Sequence, residues 1–165
     1  MIDIGTRKFP EEVLAVFKVL DTNDCDYKVR VFEAPAHHAR EAAALVGSSL
    51  GAIVKSLVFT NEGHDKYFLI LVSGQNRVDK RKLSKIVGEK VFPANPDKVL
   101  LVTGYPVGAV PPFGLNPDFP VIVDEELMSI ERLWASAGSA YTLVNFESVI
   151  LEDIYDGWIC NIKAI

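Results

Sequence analysis

Two neighbouring apolar segments constrain the fold of this chain more than any other feature. Ile53–Thr60 and Tyr67–Val72 are rich in β-branched and aromatic residues, and the short connection Asn61–Asp65 contains Asn, Gly and Asp. These three residue types favour tight turns, so the pattern predicts a hairpin of two antiparallel strands. No Gly-rich turn between a strand and a helix occurs early in the sequence, which disfavours a Rossmann or P-loop nucleotide site.

Helical and strand patterns alternate on both sides of this hairpin without a regular period, and no repeat or linker divides the 165 residues. This organisation predicts one mixed α/β domain of the α+β type over residues 1–165. Apolar spacing, caps and breakers predict helices over Pro10–Leu20, Ala36–Val46, Asp79–Val87, Pro96–Leu101 and Asn145–Ile154. The further predicted strands are Tyr27–Glu33, Pro120–Val123, Leu133–Ala137, Ala140–Val144 and Trp158–Ile162.

The first predicted helix belongs to an N-terminal extension at about residues 1–26. Its apolar residues Val13, Phe17 and Leu20 recur at helical spacing and form one stripe. Such a stripe packs on the main body of the protein, forms an interface, or belongs to a mobile appendage, and we favour packing on the core.

The composition is typical of soluble globular proteins, with 49% hydrophobic and 24% charged residues. The N-terminal segment lacks the apolar core of a secretory signal, and no apolar run approaches the ~20 residues of a membrane span. We therefore expect a cytoplasmic protein without a membrane partner. Cys25 and Cys160 have no ligand-type cluster near them in the sequence and are predicted to be free thiols.

The charge is unevenly distributed along the chain. The formal net charge is −5, yet the segment Arg77–Lys90 holds six basic residues against two acidic ones. An acidic protein with this asymmetry can present a basic surface to a nucleic acid. A solvated helix face without a partner explains the same charges, and charge alone does not separate the two interpretations.

The histidines and cysteines do not form a motif of metal binding or nucleophilic catalysis. His37 and His38 are adjacent, so on a helix they point about 100° apart and cannot chelate one metal ion together. We interpret them, with His64 in the predicted turn, as surface or edge residues. No Gly-x-Ser-x-Gly motif occurs, and neither cysteine has a neighbouring histidine. The sequence therefore predicts no metal, no other cofactor and no enzyme nucleophile.

Lys55 is unusual because it lies inside an otherwise apolar strand. By alternation it shares a face with Ile53, Leu57 and Phe59. Burying an ammonium group there is costly unless the group meets carbonyl oxygens or a ligand. A lysine in this position can polarise a carbonyl group or hold a carboxylate or phosphate. An edge strand whose lysine faces solvent is an equally good interpretation of this segment alone.

A second unusual feature is the segment Thr103–Gly114, which holds three Gly and three Pro in twelve residues. Pro restricts φ and Gly permits a close backbone approach, so the segment predicts a rigid loop that offers backbone N–H groups to a ligand. The shorter segment Ser136–Ser139 adds a Gly and two hydroxyl groups at the end of a predicted strand.

Three segments together resemble a known family: Gly51–Phe59, Thr103–Gly114 and Ser136–Ser139. The chain is similar to the YbaK/prolyl-tRNA-editing (aminoacyl-tRNA deacylase) domain, in matching order over roughly Val29 to Ile162. The resemblance implies a strongly curved, barrel-like mixed β-sheet surrounded by short helices. It also implies a small pocket that receives the aminoacylated 3′ end of a tRNA.

The resemblance implies hydrolysis of the ester of a mischarged tRNA without a metal or an enzyme nucleophile. Water attack would be helped by backbone donors and by groups of the substrate itself. The residues implied to carry catalysis are Lys55, Gly104 and Gly108. Those implied to bind the substrate are Ser56, Tyr105, Pro106, Ala109, Gly138 and Ser139. Those expected to contact the tRNA are Arg77, Lys80, Arg81, Lys82 and Lys85.

The sequence departs from the family pattern at Gly108–Ala109, where the family usually has a Gly-Gly pair. The extra methyl group narrows the pocket, or clashes if Ala109 needs a positive φ. Two functions remain open. One is a trans-editing deacylase for a small amino acid such as Ala, Cys or Ser on tRNA-Pro or a similar tRNA. The other is a non-catalytic module that binds a tRNA end or an aminoacyl-tRNA synthetase. DNA is not an expected partner, and no motif supports a general small-molecule hydrolase.

Overall fold

The structure, a computed structural model, describes residues 7–165. The part of the predicted N-terminal extension that falls on residues 1–6 lies outside the described residues. The described helices are α1 (Glu11–Thr22), α2 (Ala39–Val46), α3 (Lys80–Val87), α4 (Pro96–Thr103) and α5 (Val149–Ile154), with short 3₁₀ turns at Leu50–Ala52 and Glu125–Ser129. The described strands are β1 (Tyr27–Val31), β2 (Val54–Asn61), β3 (Tyr67–Ser73), β4 (Val91–Pro93), β5 (Val121–Asp124), β6 (Arg132–Ser139), β7 (Thr142–Glu147) and β8 (Ile159–Cys160).

The strands form two sheets. One has the order β4-β2-β3-β5-β8 and the other the order β1-β7-β6. The predicted hairpin is confirmed, because β2 and β3 pair antiparallel from Val54 opposite Ser73 to Thr60 opposite Tyr67. Since β3 pairs parallel with β5, the larger sheet is mixed. The mixed α/β class is therefore confirmed, whereas the barrel-like closure is not, because the strands divide into two sheets with an isolated bridge between Ile53 and Trp134.

Helix α1 packs on the body of the protein. Val13, Val16 and Leu20 are fully buried in an apolar cluster that draws side chains from both sheets. The Tyr105 hydroxyl also donates a hydrogen bond of 2.9 Å to the Glu12 carbonyl oxygen. The apolar stripe predicted from helical spacing is thus part of the core, and the mobile appendage is ruled out for residues 11–22.

Local caps explain where α3 begins and where α3 and α4 end. The Asp79 carboxylate accepts hydrogen bonds from the backbone N–H groups of Arg81 and Lys82 at the start of α3. Gly88 ends α3 and Gly104 ends α4, both in the left-handed conformation that favours glycine. The predicted positions of these two helices are therefore close to the observed ones.

Several predicted boundaries are wrong where pairing with another strand overrides the local pattern. The helix predicted from Asn145 starts only at Val149, because Asn145 lies in β7, which pairs with β1 on one side and β6 on the other. The last predicted strand shrinks to Ile159–Cys160, and the short strand Val91–Pro93 was not predicted. The second helix starts at Ala39 rather than Ala36, since the Glu41 carboxylate accepts hydrogen bonds from the backbone N–H groups of His37 and His38.

Among residues 7–165, none of the helices has the length and apolarity to cross a membrane.

Candidate active site

A cavity of about 200 Å³ lies between the start of α2, the first half of β2 and the Gly/Pro-rich loop. It is somewhat larger than a cavity of about 150 Å³ that holds one benzene molecule. Polar groups are supplied by Lys55, Ser56 and Ser136, and by His37 and His38 from the segment before α2. Most of the remaining lining is apolar and includes Ala36, Ala42, Ile53, Val54, Val110 and Leu143. The site therefore suits a small group with an apolar body and a polar attachment.

The Lys55 ammonium is partly buried and donates a hydrogen bond to the backbone carbonyl oxygen of Asn76. Burial lowers the pKa of Lys55, and the nearby Arg77 guanidinium lowers it further. The ammonium thus meets a carbonyl oxygen, as its position in an apolar strand requires. Lys55 lies in the part of β2 that pairs with β3 and lies beyond the pairing with β4, and its side chain is partly buried where it lines the cavity.

The two serines of the cavity differ in their hydrogen bonding. The Ser136 hydroxyl lies 3.1 Å from the Ala109 carbonyl oxygen and 3.3 Å from that of Ser139. The Ser56 Oγ atom is buried, and within residues 7–165 it has no hydrogen-bond partner. Buried hydroxyl groups without partners are rare because the missing bond costs about 1–3 kcal/mol. Ser56 therefore has a hydrogen-bonding capacity that a ligand can use.

Gly108 lines the cavity together with Val107 and Val110 of the Gly/Pro-rich loop. Its φ is +87°, and a Cβ atom added there would lie 2.9 Å from the His37 carbonyl oxygen. Only glycine fits both conditions without a shift of the backbone. Ala109 is 3% exposed, and in the described part of the chain only Asp24 and His64 have a positive φ among non-glycine residues. The alanine therefore packs into the core without backbone strain.

Of the nine residues predicted to carry catalysis or bind the substrate, six do not line the cavity: Gly104, Tyr105, Pro106, Ala109, Gly138 and Ser139. Tyr105 is buried against α1, and a Cβ atom added at Gly138 would lie 2.8 Å from the Glu12 carbonyl oxygen. Gly104 ends α4, and an added Cβ atom there would meet nothing within 4 Å. The structure thus brings together Lys55, Ser56 and Gly108, while Gly138 and Tyr105 pack where α1 joins the body.

Three polar cavity residues were not predicted as site residues: His37, His38 and Ser136. Both histidines are exposed, which agrees with their interpretation as surface residues. Their place beside Gly108 depends on a contact between distant parts of the chain, and no local pattern signals it. Ser136 belongs to the segment Ser136–Ser139, which the sequence analysis singled out. The substrate-binding residues predicted from that segment are its neighbours Gly138 and Ser139.

The basic residues predicted to contact the tRNA differ in their exposure and in their hydrogen bonds. Arg77, Lys80, Arg81 and Lys85 are exposed. The Lys82 ammonium instead lies 2.7 Å from the Asn161 side-chain oxygen and 2.9 Å from the Lys163 carbonyl oxygen. Lys82 therefore holds the C-terminal segment against α3, whereas Arg77 lies close enough to Lys55 to affect its pKa.

The two cysteines are free, and burial raises the pKa of both thiols. A raised pKa reduces the thiolate fraction, so neither residue is activated as a nucleophile. Within residues 7–165, no group of three or more His, Cys, Asp or Glu side chains is arranged to hold a metal ion.

The sequence and fold match known proteins. The profile of the aminoacyl-tRNA editing domain matches residues 33–154. Protein YwhH of Bacillus subtilis (strain 168), which is uncharacterized, is 36% identical over 111 residues, or 67% of this chain and 70% of that protein. The proline–tRNA ligase of Desulfovibrio desulfuricans (strain ATCC 27774 / DSM 6949 / MB) is 35% identical over 107 residues, which cover 64% of this chain but only 18% of the ligase.

A crystal structure of a protein proposed to be a trans-editing enzyme for prolyl tRNA synthetase has the same fold. It is 33% identical with a TM-score of 0.82, and the match covers 96% of this chain and 100% of that one. Because the family profile spans well over half of the residues, the chain belongs to the aminoacyl-tRNA editing domain family.

Proposed function

We propose that this protein hydrolyses the ester bond between a small, mischarged amino acid and the 3′ end of a tRNA. The observation that carries the proposal is the small cavity lined by Lys55, Ser56 and Gly108 in a chain of this family. The match over the full length of a protein proposed to be a trans-editing enzyme supports action on the tRNA in trans. The tRNA for proline or a similar tRNA is the proposed carrier, since relatives include proline–tRNA ligases.

In this proposal Lys55 supplies positive charge at the ester. Its ammonium contacts the carbonyl region or the terminal nucleotide, and the nearby Arg77 adds charge for a phosphate group. The backbone at Gly108 orients the ester, and a water molecule attacks the carbonyl carbon. The ester C–O bond then breaks, the tRNA hydroxyl leaves with a proton, and the free amino acid is released. Positioning and electrostatic stabilisation supply the rate enhancement.

Size selects the amino acid. The cavity of about 200 Å³ only slightly exceeds a cavity of about 150 Å³ that holds one benzene molecule, so a small side chain fits with its α-amino and ester groups and a large aromatic one does not. Apolar walls distinguish amino acids that differ by one methylene group by only about 1–3 kcal/mol. We therefore propose that the substrate is an ester of a small amino acid such as Ala, Cys or Ser, and that rates among these differ by less than those between small and large amino acids.

The test is a deacylation assay with purified protein over tRNAs charged with Ala, Cys, Ser, Pro and Phe. Release of at least one small amino acid, with Phe untouched and with loss of the reaction in Lys55→Ala, is the expected outcome. Hydrolysis of none of these esters, or an unchanged rate in Lys55→Ala, would overturn the proposal.

A binding module without catalysis is the second candidate function, and the structure favours it less. A domain that had lost catalysis would be expected to have a filled cavity or a strained Ala109. This protein has an open cavity of small-residue size and an unstrained Ala109. If the protein binds aminoacyl-tRNA with a marked salt dependence yet leaves the ester intact, the module is the correct assignment.

Ser56 offers a prediction in which activity and stability change in opposite directions. Ser56→Ala should lower the deacylation rate roughly 2- to 10-fold, because a hydrogen bond to the substrate is removed. The same change removes a buried hydroxyl without a partner, so the free energy of unfolding should stay equal or rise. Ser136→Ala is the matched comparison, and it should destabilise the protein because that hydroxyl is hydrogen-bonded. Chemical denaturation and single-turnover deacylation measure both effects. A destabilised Ser56→Ala variant with full activity would contradict the prediction.

The exposed basic residues give a prediction about tRNA affinity. Replacing either Arg77 or Lys80 singly with Glu should weaken tRNA binding and reduce the slope of log affinity against log salt concentration by about one for each phosphate that is no longer neutralised. Lys18→Glu on α1 makes the same charge change at an exposed position away from the basic segment and is the control. Filter binding at several salt concentrations measures the slope. Equal effects of the control and the Arg77 and Lys80 variants would show that net charge alone is responsible.

A further inference from the structure

Asn76 links the candidate catalytic lysine to the C-terminal part of the chain. It lies between β3 and α3, and its backbone carbonyl oxygen accepts the hydrogen bond from the Lys55 ammonium. Its side-chain amide donates a hydrogen bond to the Glu126 carboxylate. Glu126 also forms an ion pair of 3.0 Å with Lys163. The chain of contacts therefore runs from Lys55 through Asn76 and Glu126 to Lys163.

In this series of contacts the Glu126 carboxylate is ionised and is held by Lys163 and Asn76. Its hydrogen bond with Lys163 lowers the pKa of Glu126, and the bond from Asn76 adds to that effect. The hydrogen bonds to this carboxylate are charge-assisted and therefore stronger than neutral ones. Glu126 lies in the 3₁₀ turn that follows β5, a strand buried inside the larger sheet. It is thus a fixed point for the Asn76 side chain.

The backbone next to Asn76 is held as well. The C-terminal segment 162–164 runs beside residues 77–79 and bonds to them. Its contacts are the bond of 2.7 Å from the Asp79 N–H to the Ile162 carbonyl oxygen, the bridge between Val78 and Lys163, and the bond of 2.7 Å from the Ala164 N–H to the Arg77 carbonyl oxygen. The segment that carries the acceptor for Lys55 is therefore clamped through both its main chain and its Asn76 side chain.

We infer that Asn76 is a positioning residue for Lys55, held in place by Glu126 and the C-terminal segment. The inference rests on the proposed function for its effect on catalysis. A lysine ammonium sits on a flexible four-carbon stem, so a single fixed acceptor decides where its charge is placed. A displacement of about 1 Å at a reacting group can cost on the order of a hundredfold in rate. Asn76 acts through Lys55 and does not itself touch the substrate.

The test compares Asn76→Ala with the wild type in two measurements. The charged and titratable groups around the Lys55 ammonium are Arg77 beside it, His37 and His38 in the same cavity, and Glu126 beyond Asn76. Asn76→Ala keeps the backbone carbonyl but removes the side-chain bond to Glu126 that fixes it, so the contact with the ammonium weakens and the pKa of Lys55 should fall further below its ordinary value. The kcat for deacylation should drop about tenfold with little change in KM, and the high-pH limb of the rate, corrected for spontaneous hydrolysis, should move to lower pH.

The titration of Lys55 is followed directly by NMR in protein labelled with ¹³C-lysine, the resonance being assigned by its loss in Lys55→Arg. Asn23→Ala is the matched control, because it removes an asparagine side-chain amide that donates a hydrogen bond of 2.8 Å to the Val19 carbonyl oxygen at the end of α1, outside this network. It should leave both measurements unchanged. Glu126→Gln, which removes the ion pair with Lys163 but keeps the side-chain shape, should move both in the same direction as Asn76→Ala, by less.

The NMR measurement separates this inference from the proposed function. If the wild type hydrolyses no ester, the proposed function fails, and the Lys55 titration still decides the role of Asn76. An unchanged Lys55 pKa in both Asn76→Ala and Glu126→Gln overturns the inference, as does an equal shift in Asn23→Ala. Should Asn76→Ala not fold, Glu126→Gln carries the same test.

Discussion

Lys55→Met is expected to lower kcat/KM for deacylation by about 10²- to 10³-fold while the folded protein becomes no less stable. The loss of rate is that expected from removing one preorganised donor at a developing negative charge. Met keeps the apolar stem and removes an ammonium that is partly buried beside Arg77. Because burial and a like charge both oppose that ammonium, its removal should leave the free energy of unfolding equal or higher. Single-turnover deacylation and thermal unfolding measure the two effects.

Lys66→Met is the control for this prediction. Lys66 lies on the same hairpin and forms an exposed ion pair of 2.7 Å with Glu89. Exposed pairs of this kind contribute about 0–1 kcal/mol, so both rate and stability should stay close to the wild type. Lys55→Arg should not restore the rate, because a planar guanidinium is larger than an ammonium and places its donors differently. Full activity in Lys55→Met would exclude Lys55 from the chemistry.

Gly108→Ala is expected to have the second largest effect, on both stability and activity. With φ at +87°, an alanine incurs the left-handed backbone penalty of about 1–2 kcal/mol. Its Cβ atom would also lie 2.9 Å from the His37 carbonyl oxygen, which is backbone and cannot rotate away. The segment before α2 must therefore shift, and the cavity changes shape where the substrate ester is proposed to bind. We expect destabilisation by about 2–4 kcal/mol and loss of most of the deacylation rate.

Gly88→Ala separates backbone strain from the clash. Gly88 has a φ of +86° at the end of α3, but an added Cβ atom there meets nothing within 4 Å. This variant should show the left-handed penalty without loss of deacylation. An added Cβ atom at Gly104 also meets nothing within 4 Å, so Gly104→Ala tests whether catalysis requires glycine at that position of the loop. If Gly88→Ala and Gly108→Ala lose the same stability and Gly108→Ala keeps its rate, the close approach to His37 is unimportant.

Local signals in the sequence were sufficient for most of the helices and for the hairpin. Asp79 and Gly88 mark the two ends of α3, because caps act within one turn of the residues that carry them. The segments Ile53–Thr60 and Tyr67–Val72 pair as expected, since their turn is short and their apolar pattern is strong. The fold class followed from the same patterns.

The boundary of β7 could not be predicted in the same way. Asn145 follows an apolar run and precedes a helical pattern, so its local sequence favours the start of a helix. It lies instead opposite Lys28 of β1 on one side and Trp134 of β6 on the other. Pairing with these two strands stabilises the extended conformation of Asn145. Lys28 is distant in sequence and Trp134 lies on the preceding strand, so neither contact is part of the local pattern around Asn145.

For the candidate site, the sequence by itself determined which residues were chemically unusual, and the tertiary structure decided which of them meet. A lysine in an apolar strand and a loop rich in Gly and Pro are visible in the sequence because each violates a local expectation. Gly108 lines the cavity while Gly104 and Gly138 lie outside its lining, although all three have a positive φ. That difference depends on packing between α1, the loop and the segment before α2. Contacts between distant segments also place Asn76 under the Lys55 ammonium, and they follow from packing and pairing of the whole chain rather than from any pattern along it.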